Sequence, residues 1–215
     1  MGRLGGAFWF MVIKVCGMRD ADNIRQLDEL KIADWMGFIF FEKSKRHVSE
    51  VPQYLPKNSK RVGVFVNYSI EEVLEKVHDF GFNLVQLHGN ETPEYCYELK
   101  KRLGSEVQII KMFQISCIED LEPTSQYEPY VNYFLFETKC ESYGGSGKKF
   151  DWDILDHYPC FTPFILTGGI GPDDVDKIKT FHNPLFAGID LNSKFEISPA
   201  FKDIDLLQNF IKQLR

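Results

Sequence analysis

Apolar, β-branched and aromatic residues gather in short runs along this chain at roughly 20 to 30-residue intervals, each followed by an amphipathic or polar stretch. The runs are Val12–Cys16, Trp35–Phe41, Arg61–Val66, Leu84–Leu87, Gln108–Phe113, Tyr133–Thr138, Phe164–Thr167 and Leu185–Leu191. Eight such runs predict eight strands. The stretches between them carry helix signals. Ser69 precedes a periodic segment over Ile70–Phe80, and Glu72 stands where a capping box needs it. Thr92-Pro93 opens the next helix, and Gly81 and Gly104 read as left-handed stops. Asp173–Phe181 and Lys202–Leu214 complete the helix pattern. Two segments resist it: Val51–Lys60, broken by Pro52 and Pro56, and Ser116–Pro129. Both are expected to hold short or distorted helices.

Consecutive βα units force parallel strands with right-handed crossovers. With eight units and no extra antiparallel strand, closure is expected: an α/β chain forming a single (β/α)8 TIM barrel. Its 215 residues lie near the low end for that fold. Met11 begins the first strand-like run, so residues 1–10 read as an amino-terminal extension or alternative start and 11–215 as one barrel domain.

Composition narrows the function. A net charge of -6 disfavours nucleic acid or an anionic membrane as the main partner. The apolar stretch Ala7–Ile13 is too short to span a bilayer, and the leading Met-Gly lacks the Ser or Thr that myristoylation needs. The five cysteines are scattered without a C-x-x-C pair, which signals neither a disulfide framework nor zinc and fits reduced cytoplasmic thiols.

In a barrel of this kind, chemistry belongs at the carboxyl ends of the strands. There the chain carries Cys16-Gly17, Arg46 beyond strand two, Gln86 and His88 on strand four, Glu137, Gly168-Gly169, and Asp190, Asn192 and Ser193. Taken singly, Cys16, Glu137 and His88 favour a bland reading over a functional one, and for Arg46 the two stand level. A free cysteine usually packs as a small hydrophobe, and to act as a base Cys16 needs electropositive surroundings. Glu137 can be a surface carboxylate at a strand end, Arg46 a solvated cation, and His88 a satisfied strand-end imidazole. The glycine loops, including Gly144-Gly145-Ser146-Gly147, could bring backbone N–H groups to a phosphate, but they match neither the P-loop nor G-x-G-x-x-G.

Seven blocks in order resemble the phosphoribosylanthranilate isomerase family: I-K-V-C-G-M, G-F-I-F-F-E-K-S-K-R-H-V-S, V-G-V-F-V-N, V-Q-L-H-G, Y-G-G-S-G-K-K-F-D-W, L-T-G-G-I and G-I-D-L-N-S-K-F-E. The resemblance implies an isomerase of tryptophan biosynthesis that performs an Amadori rearrangement on a phosphosugar and needs no metal or redox cofactor. It implies Cys16 as general base, Glu137 as general acid, and Arg46 as the ligand of the substrate carboxylate. The phosphate site would fall around Gly145, Gly147, Gly168, Gly169, Asn192 and Ser193, with Asp190 facing the ribose and Gln86 and His88 also in contact with substrate.

Three positions depart from the family pattern: Glu137 for aspartate, Lys194-Phe195 in place of small residues, and Ala200 for glycine. The alternative reading is therefore a phosphosugar-binding barrel whose catalysis is impaired by the longer Glu137. A histidine-pathway relative is disfavoured because that family relies on paired aspartates where strand one here ends in Cys16. The chain is expected to act as a monomer or homodimer.

Overall fold

The structure, a computed structural model, describes residues 11–138 and 152–215. Residues 1–10, Gly145, Gly147 and the rest of the Y-G-G-S-G-K-K-F-D block lie outside the described residues. The eight expected strands form and close in sequence order: β1 Val12–Cys16, β2 Trp35–Ile39, β3 Lys60–Phe65, β4 Leu84–Leu87, β5 Gln108–Ile115, β6 Tyr133–Thr138, β7 Phe164–Thr167 and β8 Phe186–Leu191. All neighbours are parallel, and β1 pairs with β8 to shut the seam.

Strand side chains alternate in direction, so every second residue points into the barrel. The inward residues near the amino ends of the strands, Trp35, Val62, Leu84, Ile110, Leu135 and Ile165, form a dry plug. Their burial contributes on the order of 10 kcal/mol. One step further along the same faces come Lys14, Gln86 and Asp190, all buried, and then Cys16, His88 and Glu137 at the mouth. The same period-two pattern that plugs the barrel floor thus delivers polar groups to its top.

Helices cover the outside: α1 Ala21–Leu30, α2 Ile70–Phe80, α3 Pro93–Leu103, α4 Thr124–Tyr127, α5 Val175–Thr180 and α6 Ile204–Leu214. Ser69 and Glu72 make the reciprocal capping box on α2, and Gly81 ends it in the left-handed region at φ 58°. Gly104 also has a positive φ, 69°, but its ψ of -150° takes it out of the left-handed helical well, so the expected stop is an extended one.

The two irregular segments behave differently. Ser116–Pro129 holds short turns of 3-10 helix, Ile118–Leu121 and Glu128–Tyr130, around α4. Residues 51–59 contain no helix, contrary to the expectation for that segment. Their backbone instead bonds to Asp28 of α1, which accepts from the N–H groups of Lys57, Asn58 and Ser59 and from the Tyr54 hydroxyl. One buried carboxylate replaces the hydrogen bonds a helix would have made for itself. Those bonds outweigh the cost of burial and hold the Asp28 carboxyl below the ordinary range.

Where helices are short, aromatic rings fill the layer. Outside β6–β8 the described residues form two 3-10 stretches, Trp152–His157 and Pro172–Asp174, and α5, and Tyr158 packs edge-on against Phe134, Phe136 and Phe164. The expected helix over Asp173–Phe181 divides into a 3-10 turn, Pro172–Asp174, followed by α5.

The last helix starts later than its apolar pattern suggested, because Asp203 caps it by accepting from Leu206 N–H. Lys202 falls instead in an antiparallel hairpin, β9 Glu196–Ser198 and β10 Phe201–Lys202. The chain therefore does carry an antiparallel pair, but it lies outside the barrel, in the connection after β8.

Closure depends on Gly188 of β8. A β-carbon there would lie 2.1 Å from the carbonyl oxygen of Val12, across the seam. Gly188→Ala is expected to force β1 and β8 apart and to cost roughly 3 kcal/mol, measured by urea denaturation; an unchanged midpoint would show that the seam is not so closely packed.

Candidate active site

The mouth of the barrel holds a cavity of about 330 Å3, within the range of small-ligand sites. Its lining includes Cys16, Arg46, Gln86, His88, Glu137, Gly168, Gly169, Asp190, Asn192 and Ser193. Every candidate residue within the described segments therefore opens onto one space, although they come from six different strands and the loops that follow them. Gly145 and Gly147 are candidates outside those segments.

Cys16 ends β1, 4% exposed. Two glycines make its position possible. A β-carbon on Gly37 of β2 would come within 2.7 Å of the Cys16 sulfur, so glycine there leaves the thiol its space. Gly17, at φ 77°, lets the stem of Arg46 lie where a side chain would otherwise be, 2.6 Å from Arg46 Cδ. The Cys-Gly motif is thus a packing requirement as well as a signature.

Around Cys16 the structure buries charge that sequence reasoning did not single out. Lys14, with no exposed surface, places Nζ 2.9 Å from Asp190 Oδ2 across the β1–β8 seam. Lys202, equally buried, donates to Glu196 Oε1 at 2.7 Å and to Asn192 Oδ1 at 2.8 Å. Arg46 donates to both oxygens of Glu196, from Nε at 2.8 and 3.0 Å and again from Nη2. Arg46 therefore stands in the mouth as expected but is not a free cation. Lys14 was legible in principle, because a lysine between Ile13 and Val15 must point inward if Cys16 does. Glu196 and Lys202 carried no such local signal.

Three cations thus face two carboxylates around Cys16, leaving a positive charge that a thiolate or an anionic ligand would balance. Burial nevertheless pushes the Cys16 thiol above its ordinary range, with Lys14 and Lys202 pulling the other way. Burial also works against the Lys14 ammonium, but Asp190 and Cys16 outweigh it and hold Lys14 above the usual lysine value. Glu196 shows the reverse balance: burial would raise it, and its bonds to Arg46 and Lys202 hold it down to about 2.

Opposite this cluster, Glu137 is the penultimate residue of β6 and is partly exposed. His88 Nε2 lies 3.8 Å from its Oε2, and the Gln114 amide, from the paired position on β5, lies 3.5 Å from the same oxygen. Gln86 sets the state of His88. Its Nε2 stands 2.9 Å from His88 Nδ1, and an amide nitrogen can only donate, so Nδ1 accepts and the ring proton sits on Nε2, toward Glu137. Burial, with help from the Lys14 and Lys111 cations, drops the His88 pKa to about 4, which keeps the ring neutral near pH 7.

Two buried acceptors in this lining, Gln86 Oε1 and Asp190 Oδ1, have no partner among the described residues. An unpaired buried acceptor is costly, and here both belong to side chains that line the cavity, where ligand hydroxyl or amine groups would satisfy them. Gly168 and Gly169, both at positive φ, and the start of the Ser193–Phe195 turn complete the opposite rim. Lys194 of that turn is exposed, its stem 3.7 Å from where a Gly171 β-carbon would stand. Among the described residues no helix is long and apolar enough to cross a membrane, and no His, Cys, Asp and Glu group could hold a metal ion.

Comparison with known proteins gives a consistent result. The family profile for N-(5'-phosphoribosyl)anthranilate (PRA) isomerase matches residues 13–213. The N-(5'-phosphoribosyl)anthranilate isomerase of Parabacteroides distasonis is 52% identical over 210 residues, covering 95% of this chain and 93% of that one. The crystal structure of phosphoribosyl anthranilate isomerase from Thermotoga maritima superposes with a TM-score of 0.76 at 32% identity, over 95% of this chain and 98% of that one. A phosphoribosyl anthranilate isomerase in complex with reduced 1-(o-carboxyphenylamino)-1-deoxyribulose 5-phosphate superposes with a TM-score of 0.75 at 28% identity and the same coverage.

The His88 geometry predicts a pH dependence. Its folded pKa, about 4, lies below the ordinary 6.5, so the unfolded chain takes up the proton first as pH falls. The stability that neutral His88 brings is complete above pH 6.5 and is lost between pH 6.5 and about 4. Wild type is expected to lose more stability over that window than His88→Gln, and ring 15N signals should report a neutral Nε2–H imidazole through most of it. A His88 ring that titrates near 6.5 would contradict the arrangement.

Proposed function

Because the chain belongs to the N-(5'-phosphoribosyl)anthranilate isomerase family, we propose that it divides the family's chemistry between Cys16 as general base and Glu137 as general acid. The enzyme is an isomerase of tryptophan biosynthesis that performs an Amadori rearrangement, converting N-(5'-phosphoribosyl)anthranilate into 1-(2-carboxyphenylamino)-1-deoxyribulose 5-phosphate. The observation that carries the division of labour is that Cys16 and Glu137, on strands three apart around a closed barrel, open onto the same cavity.

The chemistry needs a proton delivered to one part of the sugar and removed from another. Glu137 in its acid form gives its proton to the furanose ring oxygen, the C1–O bond breaks, and the anthranilate nitrogen's lone pair forms the C1=N bond of a protonated Schiff base. Cys16 as thiolate then removes the proton from C2, and the electron pair moves to neutralise the nitrogen, giving an enolamine that tautomerises to the ketone. Groups held across the mouth from one another can reach both sites without moving, provided the substrate is clamped.

The clamp is supported by three features. The glycine pair after β7 and the turn after β8 offer backbone N–H groups in the region where barrels of this kind hold a phosphate, and Lys194 adds a cation nearby. Asp190 Oδ1 and Gln86 Oε1 supply acceptors for sugar hydroxyls. Arg46 offers the edge of its guanidinium that Glu196 does not occupy to the anthranilate carboxylate. The excess positive charge around Cys16 favours the thiolate that the base step requires, and burial opposes it.

Glu137 supports an active enzyme over the alternative of an impaired binder, because its longer arm still ends in the cavity beside His88 and Gln114. The substrate is a small phosphosugar. A cytoplasmic setting is supported by four free cysteines among the described residues, three of them buried. The chain works as a monomer or homodimer.

Cys16→Ser and Glu137→Ala are each expected to lower kcat by about 10² to 10⁴-fold with an unchanged fold. The assay is turnover of freshly prepared phosphoribosylanthranilate, with circular dichroism as the fold control. Wild-type turnover in either purified variant removes that residue from its role, and tight binding of a product analogue by a wild-type protein without turnover would favour the binder.

A further inference from the structure

The Arg46 guanidinium is built into a relay of buried charge. Of its five N–H groups, Nε–H and one on Nη2 point to Glu196, and no other side-chain bond of Arg46 is made among the described residues. Arg46 also lines the cavity. Glu196 is itself fixed on every side: its side chain is 5% exposed, its Oε1 accepts from Lys202 Nζ at 2.7 Å and from the Ala200 N–H at 3.1 Å, and it starts the β9 strand. Lys202 in turn has no exposed surface, and its backbone is tied to Asn23 of α1 by two bonds, N–H to Oδ1 at 2.8 Å and Nδ2 to the carbonyl at 2.9 Å. A long, entropically free arginine is thereby held from its far side.

We propose that Glu196 is a positioning residue for the reaction: it holds Arg46 by the Nε–Nη2 edge so that the opposite edge is presented, already oriented, to the carboxylate of the substrate. This rests on the reading of Arg46 as the carboxylate ligand. Glu196 does not touch substrate in this account. Its neutralisation by Lys202 matters as well, since a carboxylate with two cations on it can restrain Arg46 without cancelling the positive charge that the incoming carboxylate meets. The same arrangement places the relay on the β9–β10 hairpin rather than on a barrel strand.

The test compares two substrates, N-(5-phosphoribosyl)anthranilate and N-(5-phosphoribosyl)aniline, which lacks the carboxylate, and reads the ratio of their kcat/KM values. Two variants guard against loss of fold: Glu196→Gln, which removes the charge, and Glu196→Asp, which keeps a counter-ion for Lys202 but draws back from Arg46. In both, the preference for the carboxylated substrate is expected to fall by about 10-fold to 10²-fold, the cost of a displacement of order 1 Å. Turnover of the aniline substrate should change little. Arg46→Met should abolish the preference. If Arg46→Met keeps the wild-type ratio, the carboxylate reading of Arg46 fails. If Arg46→Met abolishes the ratio while both Glu196 variants retain it, Arg46 needs no such support and the positioning role is overturned. An equal loss on both substrates overturns it too, because that is what a merely structural role would give.

Discussion

An ammonium with no exposed surface survives inside a barrel only where carboxylate oxygen is brought to it, and the Lys14–Asp190 pair is the contact on which the mouth of this protein depends. It joins the strand that carries Cys16 to the strand that closes the seam, at a register position where the two residues are direct partners. Once Lys14 points inward, alternation along β1 sends Cys16 inward as well, one pair of residues closer to the opening. The same pair leaves Asp190 Oδ1 without a partner among the described residues, on a side chain that lines the cavity. Desolvating both ions has a cost that a hydrophobic pair would avoid, so the barrel gives up stability here in return for charge beside a thiol and a carboxylate oxygen at the cavity.

The second buried group, Arg46–Glu196–Lys202, has a different logic. Lys14 and Asp190 sit on rigid strands and need no external support, whereas Arg46 comes from a loop after β2. Loops hold functional groups well only when something fixes them. Here the fixing element is remote in sequence: Glu196 lies 150 residues from Arg46. The hairpin that presents Glu196 contains Ala200 at φ 68°, a left-handed conformation that costs an alanine roughly 1–2 kcal/mol. Its side chain is 2% exposed and its N–H donates to Glu196, so burial of the methyl group and a charge-assisted bond offset the strain. The glycine expected at this position from the family pattern would relieve the strain but forfeit the packing, which is why alanine can stand there.

The fold was legible because its signals are local and repeated. Eight apolar runs, one capping box and a left-handed glycine stop are each readable within a dozen residues, and the strand boundaries moved by at most two residues when the barrel closed. The failures have one distant cause and one near one. Residues 51–59 lack a helix because Asp28 satisfies their backbone from a distance, and Lys202 left the final helix because Asp203 caps it and Glu196 claims its ammonium. No window around residues 51–59 contains Asp28, whereas Asp203 and Glu196 lie close to Lys202 in sequence and give no sign there that they will claim it. The catalytic candidates were legible for a mixed reason. Cys16 and Glu137 looked ordinary taken singly, and their shared position at strand ends, with the ordered family blocks, brought them together. Lys14, Glu196 and Lys202 were passed over because a charged residue in a sequence gives no sign of whether a counter-ion will meet it in the core.

Glu137 is where these considerations meet. Its position at the end of β6 follows from strand alternation, with Leu135 two residues earlier in the apolar plug. Compared with the aspartate expected there from the family resemblance, one more methylene carries the carboxyl group further into the mouth. The side chains around it bear on that extra length. Gln86 fixes His88 with its proton on Nε2, and His88 Nε2 and the Gln114 amide both lie near the same oxygen, Oε2. At 3.8 and 3.5 Å these are loose contacts, too long to count as strong hydrogen bonds. The carboxyl group is therefore guided by two donors but gripped by neither, and the extra methylene gives it room to turn between them.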